Sequence, residues 1–246
     1  MKFIQLVSAL QLTDAQLARA LASDDKAARH ARLLRDSAVL LERIETYEPE
    51  STEELREMVG FFMARATRHT SSDTGKHDFA IAAALMKRYG NADLPCRAPM
   101  QDPEGSGALF VASGSDPSDI ARQIVLAGHR VAAIDANYRY LATSRVNAAF
   151  YKMSPLALVG RHLCETIGSD RFHKRARGKI DLCLAGNKQD YLFRAHDPIA
   201  GQRVMRCRMT PVRDARKRVF CALVQLRDTT GSAQAQEIAQ NEPGTT

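Results

Sequence analysis

The sequence predicts an α+β protein in which an N-terminal all-α helical bundle precedes a domain of strands and helices. Three observations lead to this prediction. Apolar residues recur at helical spacing through the first 95 residues, a stretch rich in Pro and Gly follows, and short strand-like runs begin near Arg130. The predicted units are a helical bundle at 1–95, a linker at 96–118, the mixed domain with its own N-terminal helix at 119–230, and a disordered tail at 231–246.

Helical spacing is clearest between Leu17 and Ile44, where leucine, alanine and isoleucine recur every three, four or seven positions. Two capping boxes are expected to begin helices, at 13–16 (Thr-Asp-Ala-Gln) and at 51–54 (Ser-Thr-Glu-Glu). A further helix is expected from about His77 to Tyr89. Such helices would form a small bundle, which could serve as an effector or as a dimerisation element.

Composition and charge limit the class of protein. No stretch approaches the roughly 18–20 apolar residues that a membrane span requires, and five scattered cysteines favour a reducing, cytoplasmic location. Residues 129–246 contain 20 basic and 10 acidic side chains, whereas residues 1–128 contain 15 and 18. The basic half could attract anions, nucleic acid or an acidic partner, although a solvated surface is the commoner explanation.

The second half is expected to contain five strands and several helices. Strands are predicted at 131–135, 138–143, 191–195, 203–210 and 219–227, and helices at 146–153, 155–159 and 170–185. In the fourth strand apolar and basic residues alternate, whereas the fifth is apolar on both faces. A strand buried on both faces needs a cover on each, and the helix Ile120–Ala127 is the expected cover of the second face.

This order of elements, together with two sequence stretches, resembles the PAS family. The first stretch is VAAIDANYRYLATSRVNAAFYKMSPLALVGRHLCETI, and the second is RMTPVRDARKRVFCALVQLRDTT, which ends in Asp228-Thr229-Thr230. The resemblance covers roughly 40% of the chain and implies a five-stranded antiparallel sheet, with flanking helices that enclose a pocket or a dry core. No family is identified for residues 1–95.

The resemblance also suggests which residues matter. Ile120, Ile124, Asp228 and Thr230 are predicted to transmit a signal, because the flanking helix often mediates dimerisation in PAS domains and the terminal Asp-x-Thr locks the last strand. The residues predicted to line a pocket are Ile134, Phe150, Val159, Ile167, Met205, Cys207, Met209 and Leu223.

The sequence does not identify a cofactor. His173 lies near the start of the long helix that carries the haem ligand in some PAS proteins, but basic residues surround it. Cys164 falls one position late for the flavin-binding light sensors and lacks their Asn, and a one-residue shift turns a helical side chain by about 100°. No pair of His or Cys has metal-ligand spacing, so buried free thiols are favoured over a metal site.

We therefore expect a cytoplasmic regulatory protein rather than an enzyme. A PAS domain would sense a small molecule or a protein partner, and the helical N-terminal region or another protein would carry the output. The chain is expected to form a homodimer and to have no membrane association. The alternative is a PAS-containing transcriptional regulator that binds DNA, although no helix-turn-helix can be placed in residues 1–95 from the sequence.

Overall fold

The structure is a computed structural model that describes residues 2–22, 27–90, 94–95, 116–197 and 201–232. The predicted disordered tail falls almost wholly outside these residues, as does all but the end of the predicted linker. The predicted domain boundaries stay predictions. Within the described residues, no helix combines the length and the apolar character that crossing a bilayer requires.

Four helices form the N-terminal half: α1 (Phe3–Leu21), α2 (Ala27–Glu45), α3 (Thr52–Arg68) and α4 (Asp73–Tyr89). The predicted start of a helix at Thr13 is wrong, because α1 runs straight through this residue. The Thr13 hydroxyl donates to the carbonyl oxygen of Ala9 at 2.9 Å, a contact typical of a helix interior. The helix begins ten residues earlier because nearly every residue from Phe3 to Thr13 is buried.

The start of α3 agrees with the prediction, since the Ser51 side chain accepts a hydrogen bond from the Glu54 backbone N–H at 3.2 Å. The Glu54 carboxylate does not return to Ser51 but binds the Tyr47 hydroxyl and the Glu50 N–H. Helix α4 begins four residues before the predicted start at His77. The Ser72 side chain caps it by accepting from the N–H of Gly75.

Helices α3 and α4 form an antiparallel hairpin. Arg65 near the end of α3 pairs with the buried Asp78 near the start of α4, with Nε and Oδ2 3.2 Å apart. At the opposite end, the Thr52 hydroxyl donates to the carbonyl oxygen of Leu94, just beyond α4. The two helices therefore lie side by side over their whole length.

The second half contains a five-stranded antiparallel sheet, as the sequence predicts. Its strands occur in the spatial order β2-β1-β5-β4-β3. Their bounds are β1 (Arg130–Ile134), β2 (Tyr140–Thr143), β3 (Gln189–Asp197), β4 (Gly201–Arg213) and β5 (Val219–Asp228).

Six helices accompany the sheet, and the last two flank a π-helical turn, Phe172–Ala176, within one continuous helical segment. Their bounds are α5 (Pro117–Leu126), α6 (Arg145–Phe150), α7 (Pro155–Leu158), α8 (Leu163–Ile167), α9 (Ser169–Arg171) and α10 (Arg177–Leu184). Helix α5 begins two residues before the predicted domain start, because Asp116 caps it and Pro117 occupies its first turn.

The sheet has a core on each face. On the outer face, α1 and α5 pack side by side, and one buried cluster joins Leu6, Ile120 and Ile124 to Ala133 and Leu223 of the sheet. On the inner face, the helices between β2 and β3 cover a second cluster that includes Ala132, Ile134 and Met209. The expected cover helix thus shares the outer face with α1, which links the N-terminal helices to the sheet.

Candidate functional site

A cavity of about 590 Å³ lies between the inner face of the sheet and the helices that cover it. Strand alternation positions its floor, since every second residue of a strand faces the same side. The floor is apolar and is formed by Ala132, Ile134, Met205, Cys207, Met209, Val224 and Leu226.

Aromatic side chains form part of the wall. Tyr140, Tyr151, Tyr191 and Phe193 all line the cavity. The Tyr140 hydroxyl is 2.9 Å from the Thr166 hydroxyl, and burial raises the pKa of Tyr140 well above its usual range. These rings therefore present neutral surfaces that combine apolar area with a few hydroxyl groups.

Two thiols near the cavity are held protonated. Burial raises the pKa of Cys207, which lines the cavity, to about 11. Burial raises the pKa of Cys183, in the adjoining cluster, to about 12. Because the thiolate is the reactive form, neither thiol is prepared to act as a nucleophile at neutral pH.

Arg130 brings a positive charge to the cavity at the start of β1. Its Nε donates to Asn147 Oδ1 at 3.2 Å, and its Nη2 donates to the Tyr151 hydroxyl at 3.3 Å. The guanidinium carbon lies 3.5 Å from the centre of the Phe150 ring, a close cation–π contact. Burial lowers the pKa of Arg130, although the group stays charged at neutral pH because arginine begins so high.

The end of β5 forms the edge of the cavity. Asp228 accepts hydrogen bonds from the backbone N–H and the hydroxyl of Thr230, and Arg203 donates to it at 2.9 Å. Partial burial raises the pKa of Asp228, but these hydrogen bonds outweigh it and lower the pKa overall. The Thr230 hydroxyl in turn accepts from the Val204 N–H, which fastens the chain after β5 to β4.

The structure brings six of the eight predicted pocket residues to the cavity, namely Ile134, Phe150, Ile167, Met205, Cys207 and Met209. Val159 and Leu223 do not line it and belong instead to the cluster that includes α1 and α5. Leu223 pairs with Ala133, whose side chain is on the outer face, whereas its neighbours Ala222 and Val224 pair with inner residues. Both faces of β5 are apolar, so the sequence could not distinguish them.

Arg130, Asn147 and Tyr140 are cavity residues that the sequence did not reveal. A signal for Arg130 does exist, because it precedes Ala132 and Ile134 at alternate positions of one strand. The predicted signal-transmission residues lie at two places. Ile120 and Ile124 are buried beneath α1 on the outer face, whereas Asp228 and Thr230 lie where the sheet ends.

The residues considered for cofactors lie outside the cavity lining. His173 is exposed and its ring contacts Phe172, and Cys164 is half-buried at the start of α8. Within the described part of the chain, no three His, Cys, Asp or Glu side chains come close enough to hold a metal ion. Basic residues near His173 form surface ion pairs, Lys174 with Asp170 and Arg177 with Asp181.

Comparisons with known proteins agree with this architecture. Residues 129–234 match the family model described as the PAS fold. The comparison with curated protein sequences gave no match.

Several solved structures are similar to part of the chain. VqmA of Vibrio cholerae, solved in a complex with ligand and DNA, is 14% identical with a TM-score of 0.39, over 52% of this chain and 60% of VqmA. The PAS domain of a Colwellia psychrerythraea protein is 13% identical with a TM-score of 0.37, over 46% of this chain and 97% of that domain. The PAS domain of BvgS from Bordetella pertussis is 10% identical with a TM-score of 0.34, over 50% of this chain and 93% of that domain.

The chain thus spans only three fifths of the VqmA structure, and the four N-terminal helices lie outside the residues that match the family model. The strand order, the cavity beneath the sheet and the family match all indicate that residues 129–234 adopt the PAS fold. This part of the chain is a PAS domain, and such a domain supports a sensory or signalling role.

Proposed function

We propose that the protein is a regulator that binds a small molecule in the inner cavity of its PAS domain and passes the signal to α1 and α5. The observation that supports this most is the cavity of about 590 Å³, whose floor is the sheet on which α1 and α5 pack. Volumes of this order suit small organic ligands. A single sheet separates the ligand site from the output helices.

Neighbouring residues on two central strands connect the two faces. In β1, Ala132 lines the cavity, and Ala133 packs in the cluster with α1. In β5, Val224 lines the cavity, and Leu223 packs in that same outer cluster. A ligand that shifts either strand must therefore move its outer side chains against α1 and α5, because closely packed cores transmit strain.

We propose that the protein binds its ligand without catalysing a reaction. The cavity combines an apolar floor, neutral tyrosines and protonated thiols, which suits binding better than nucleophilic catalysis. A protein partner, or the helical N-terminal region itself, would then carry the output.

An apolar dye can test whether the cavity binds ligands. We expect Nile red, a neutral dye, to fluoresce with the native protein and to lose this signal in Ala132→Phe, which places a ring in the cavity. Ala80→Phe, on the exposed side of α4, is the matched control and should leave the signal unchanged. Bound dye should also slow hydrogen exchange in α1. Equal fluorescence in both variants would contradict the proposal.

The alternative of a DNA-binding regulator stays a prediction. The basic second half of the chain favours it, but α3 and α4 do not have the crossed arrangement of a helix-turn-helix, since they form a side-by-side hairpin. Electrophoretic mobility shift assays with DNA at several salt concentrations distinguish the two functions. Binding that weakens steeply with salt supports the alternative, and no binding at about 50 mM salt excludes it.

We also propose that the protein forms a homodimer. Helix α4 exposes 57% of Phe79 and 54% of Met86, which lie two helical turns apart on one face. The native mass at several concentrations tests this. Phe79→Glu with Met86→Glu should give a monomer if this face is the interface, whereas a monomeric native protein would contradict the proposal.

A further inference from the structure

We propose that the PAS cavity selects a ligand with an apolar body and one anionic group such as a carboxylate, and that Arg130 binds the anionic group. This inference rests on the proposed ligand-sensing function and specifies the chemical class of the ligand. Three observations carry it: the charges that line the cavity, the partners of Arg130, and the contrast with other arginines of the chain.

Positive charge dominates the lining. Among the described residues that line the cavity, the single carboxylate is that of Asp228, and Arg203 and Thr230 already bind it. Six arginines surround the same space, namely Arg130, Arg171, Arg175, Arg194, Arg203 and Arg227. Their field attracts an anion toward the cavity, and low-dielectric walls focus such a field.

Arg130 is the arginine best placed to bind a ligand. It is half-buried, and its partners are the neutral Asn147 and Tyr151 together with the ring of Phe150. Among the residues that the structure describes, no carboxylate lies within 4.0 Å of its guanidinium. Guanidinium has five N–H donors, so donors remain for a ligand.

Elsewhere in the described part of the chain, several partly buried arginines pair with carboxylates. Arg29 and Arg218 share Asp214, which is almost fully buried, and Arg65 pairs with the buried Asp78. Holding a cation away from water without an anion is costly. A ligand carboxylate would supply for Arg130 the partner that these other arginines receive from the protein.

The remaining walls suit the rest of such a ligand. Met205, Cys207 and Met209 form an apolar floor that begins beside Arg130, since Arg130 pairs with Leu226 and Leu226 with Cys207. Flexible thioethers adapt to varied apolar shapes. The ligand would thus lie with its anionic group at the start of β1 and its apolar body over β4.

Two isosteric pairs of probes test the inference: 2-naphthoate with 2-naphthamide, and decanoate with decanamide. Calorimetric titration of the full chain should show that each carboxylate binds about tenfold or more tightly than its amide, because a charge-assisted hydrogen bond is worth more than a neutral one. Higher salt should weaken carboxylate binding only. Arg130→Gln should remove the preference, whereas Arg130→Lys should retain part of it.

Controls separate binding from folding. Arg122→Gln removes an exposed arginine of α5, on the opposite face of the sheet, and should leave both affinities unchanged. If Arg130→Gln fails to fold, the double variant Arg171→Gln, Arg175→Gln should still reduce carboxylate binding several-fold and leave amide binding intact. If amides bind as tightly as carboxylates, the inference is wrong and the ligand-sensing function stands. If none of the four probes binds, both are overturned.

Discussion

Asp214, in the turn between β4 and β5, joins the PAS domain to α2. Its carboxylate accepts hydrogen bonds from Arg29 of α2 at 2.8 Å, from the Arg218 side chain, and from the backbone N–H groups of Arg216 and Arg218. Removing one partner of a buried ion pair leaves the other charge uncompensated. The connection between the two halves of the chain thus depends partly on one acidic residue.

We expect Asp214→Ala to lower the free energy of unfolding by about 3 kcal/mol. Asp36→Asn is the control. Asp36 forms an exposed ion pair with Arg32 within α2, and its loss should lower the free energy of unfolding by less than about 0.5 kcal/mol. Urea unfolding of both variants and the native protein measures the difference. Equal losses of unfolding free energy in the two variants would show that the ion pairs of Asp214 stabilise the protein no more than an exposed pair does.

The same residue should make the protein sensitive to acid. Burial raises the pKa of Asp214, but hydrogen bonds from Arg218 and Arg216 outweigh it and lower the pKa below its usual 3.8. A lowered folded-state pKa gives stability above the unfolded-state pKa, and this stability is lost as pH falls through the folded value. Urea unfolding between about pH 6 and pH 2 should therefore show a shallower acid loss in Asp214→Ala. If the unfolding free energy fell equally with pH in the native protein and in Asp214→Ala, this role of Asp214 would be contradicted.

Cys207 should resist alkylation. Its side chain is 2% exposed and its pKa is about 11, so little thiolate exists at neutral pH and the reagent has little access to it. We expect iodoacetamide to label Cys207 about tenfold or more slowly than the half-buried Cys164, as measured by peptide mass spectrometry. Similar rates would show that the cavity opens readily to solvent.

At the scale of elements, the α3–α4 hairpin depends on a close approach at Gly75. A Cβ at this position would collide with the carbonyl oxygen of His69, which already accepts hydrogen bonds from Ser72. The turn therefore has no room for a side chain there. Gly178 in α10 is the opposite case, since an added Cβ would meet nothing within 4 Å.

Alanine at these two positions should have effects of opposite sign. Gly75→Ala should destabilise the protein by about 1–3 kcal/mol through the collision. Gly178→Ala should stabilise it by about 0.5–1 kcal/mol, because alanine favours the helix and costs less backbone entropy. Thermal unfolding of the two variants measures both changes. If Gly75→Ala stabilised the protein, the close contact between residue 75 and the His69 carbonyl oxygen would be contradicted.

At the scale of the whole molecule, α1 is a structural part of the cover over the sheet. Leu6 is 2% exposed in the cluster that joins α1 to the sheet. Leu6→Ala should lower the free energy of unfolding by about 3 kcal/mol. It should also speed the exchange of backbone amide hydrogens in β1 and β5 as well as in α1. Leu34→Ala, at an exposed position of α2, is the control. If exchange in the sheet did not change, the two halves would be independent.

Local patterns in the sequence were sufficient to predict the α+β fold class and most of the helices and strands. Helical spacing, strand alternation and turn residues are local signals, so the α+β order, the five strands and the resemblance to PAS domains could be read from neighbouring residues. Three of the predicted pocket residues, Met205, Cys207 and Met209, reach the cavity for the same reason, because they alternate along one strand.

The folded structure was needed to show which apolar face of β5 meets the cavity, where α1 packs and where Arg130 points. Leu223 was assigned to the wrong face because both faces of β5 are apolar. The true start of α1 at Phe3 follows from its burial beneath partners more than a hundred residues away. Contacts between distant segments leave no local pattern, so the cover of the sheet and the charge in the cavity emerge only when the chain is folded.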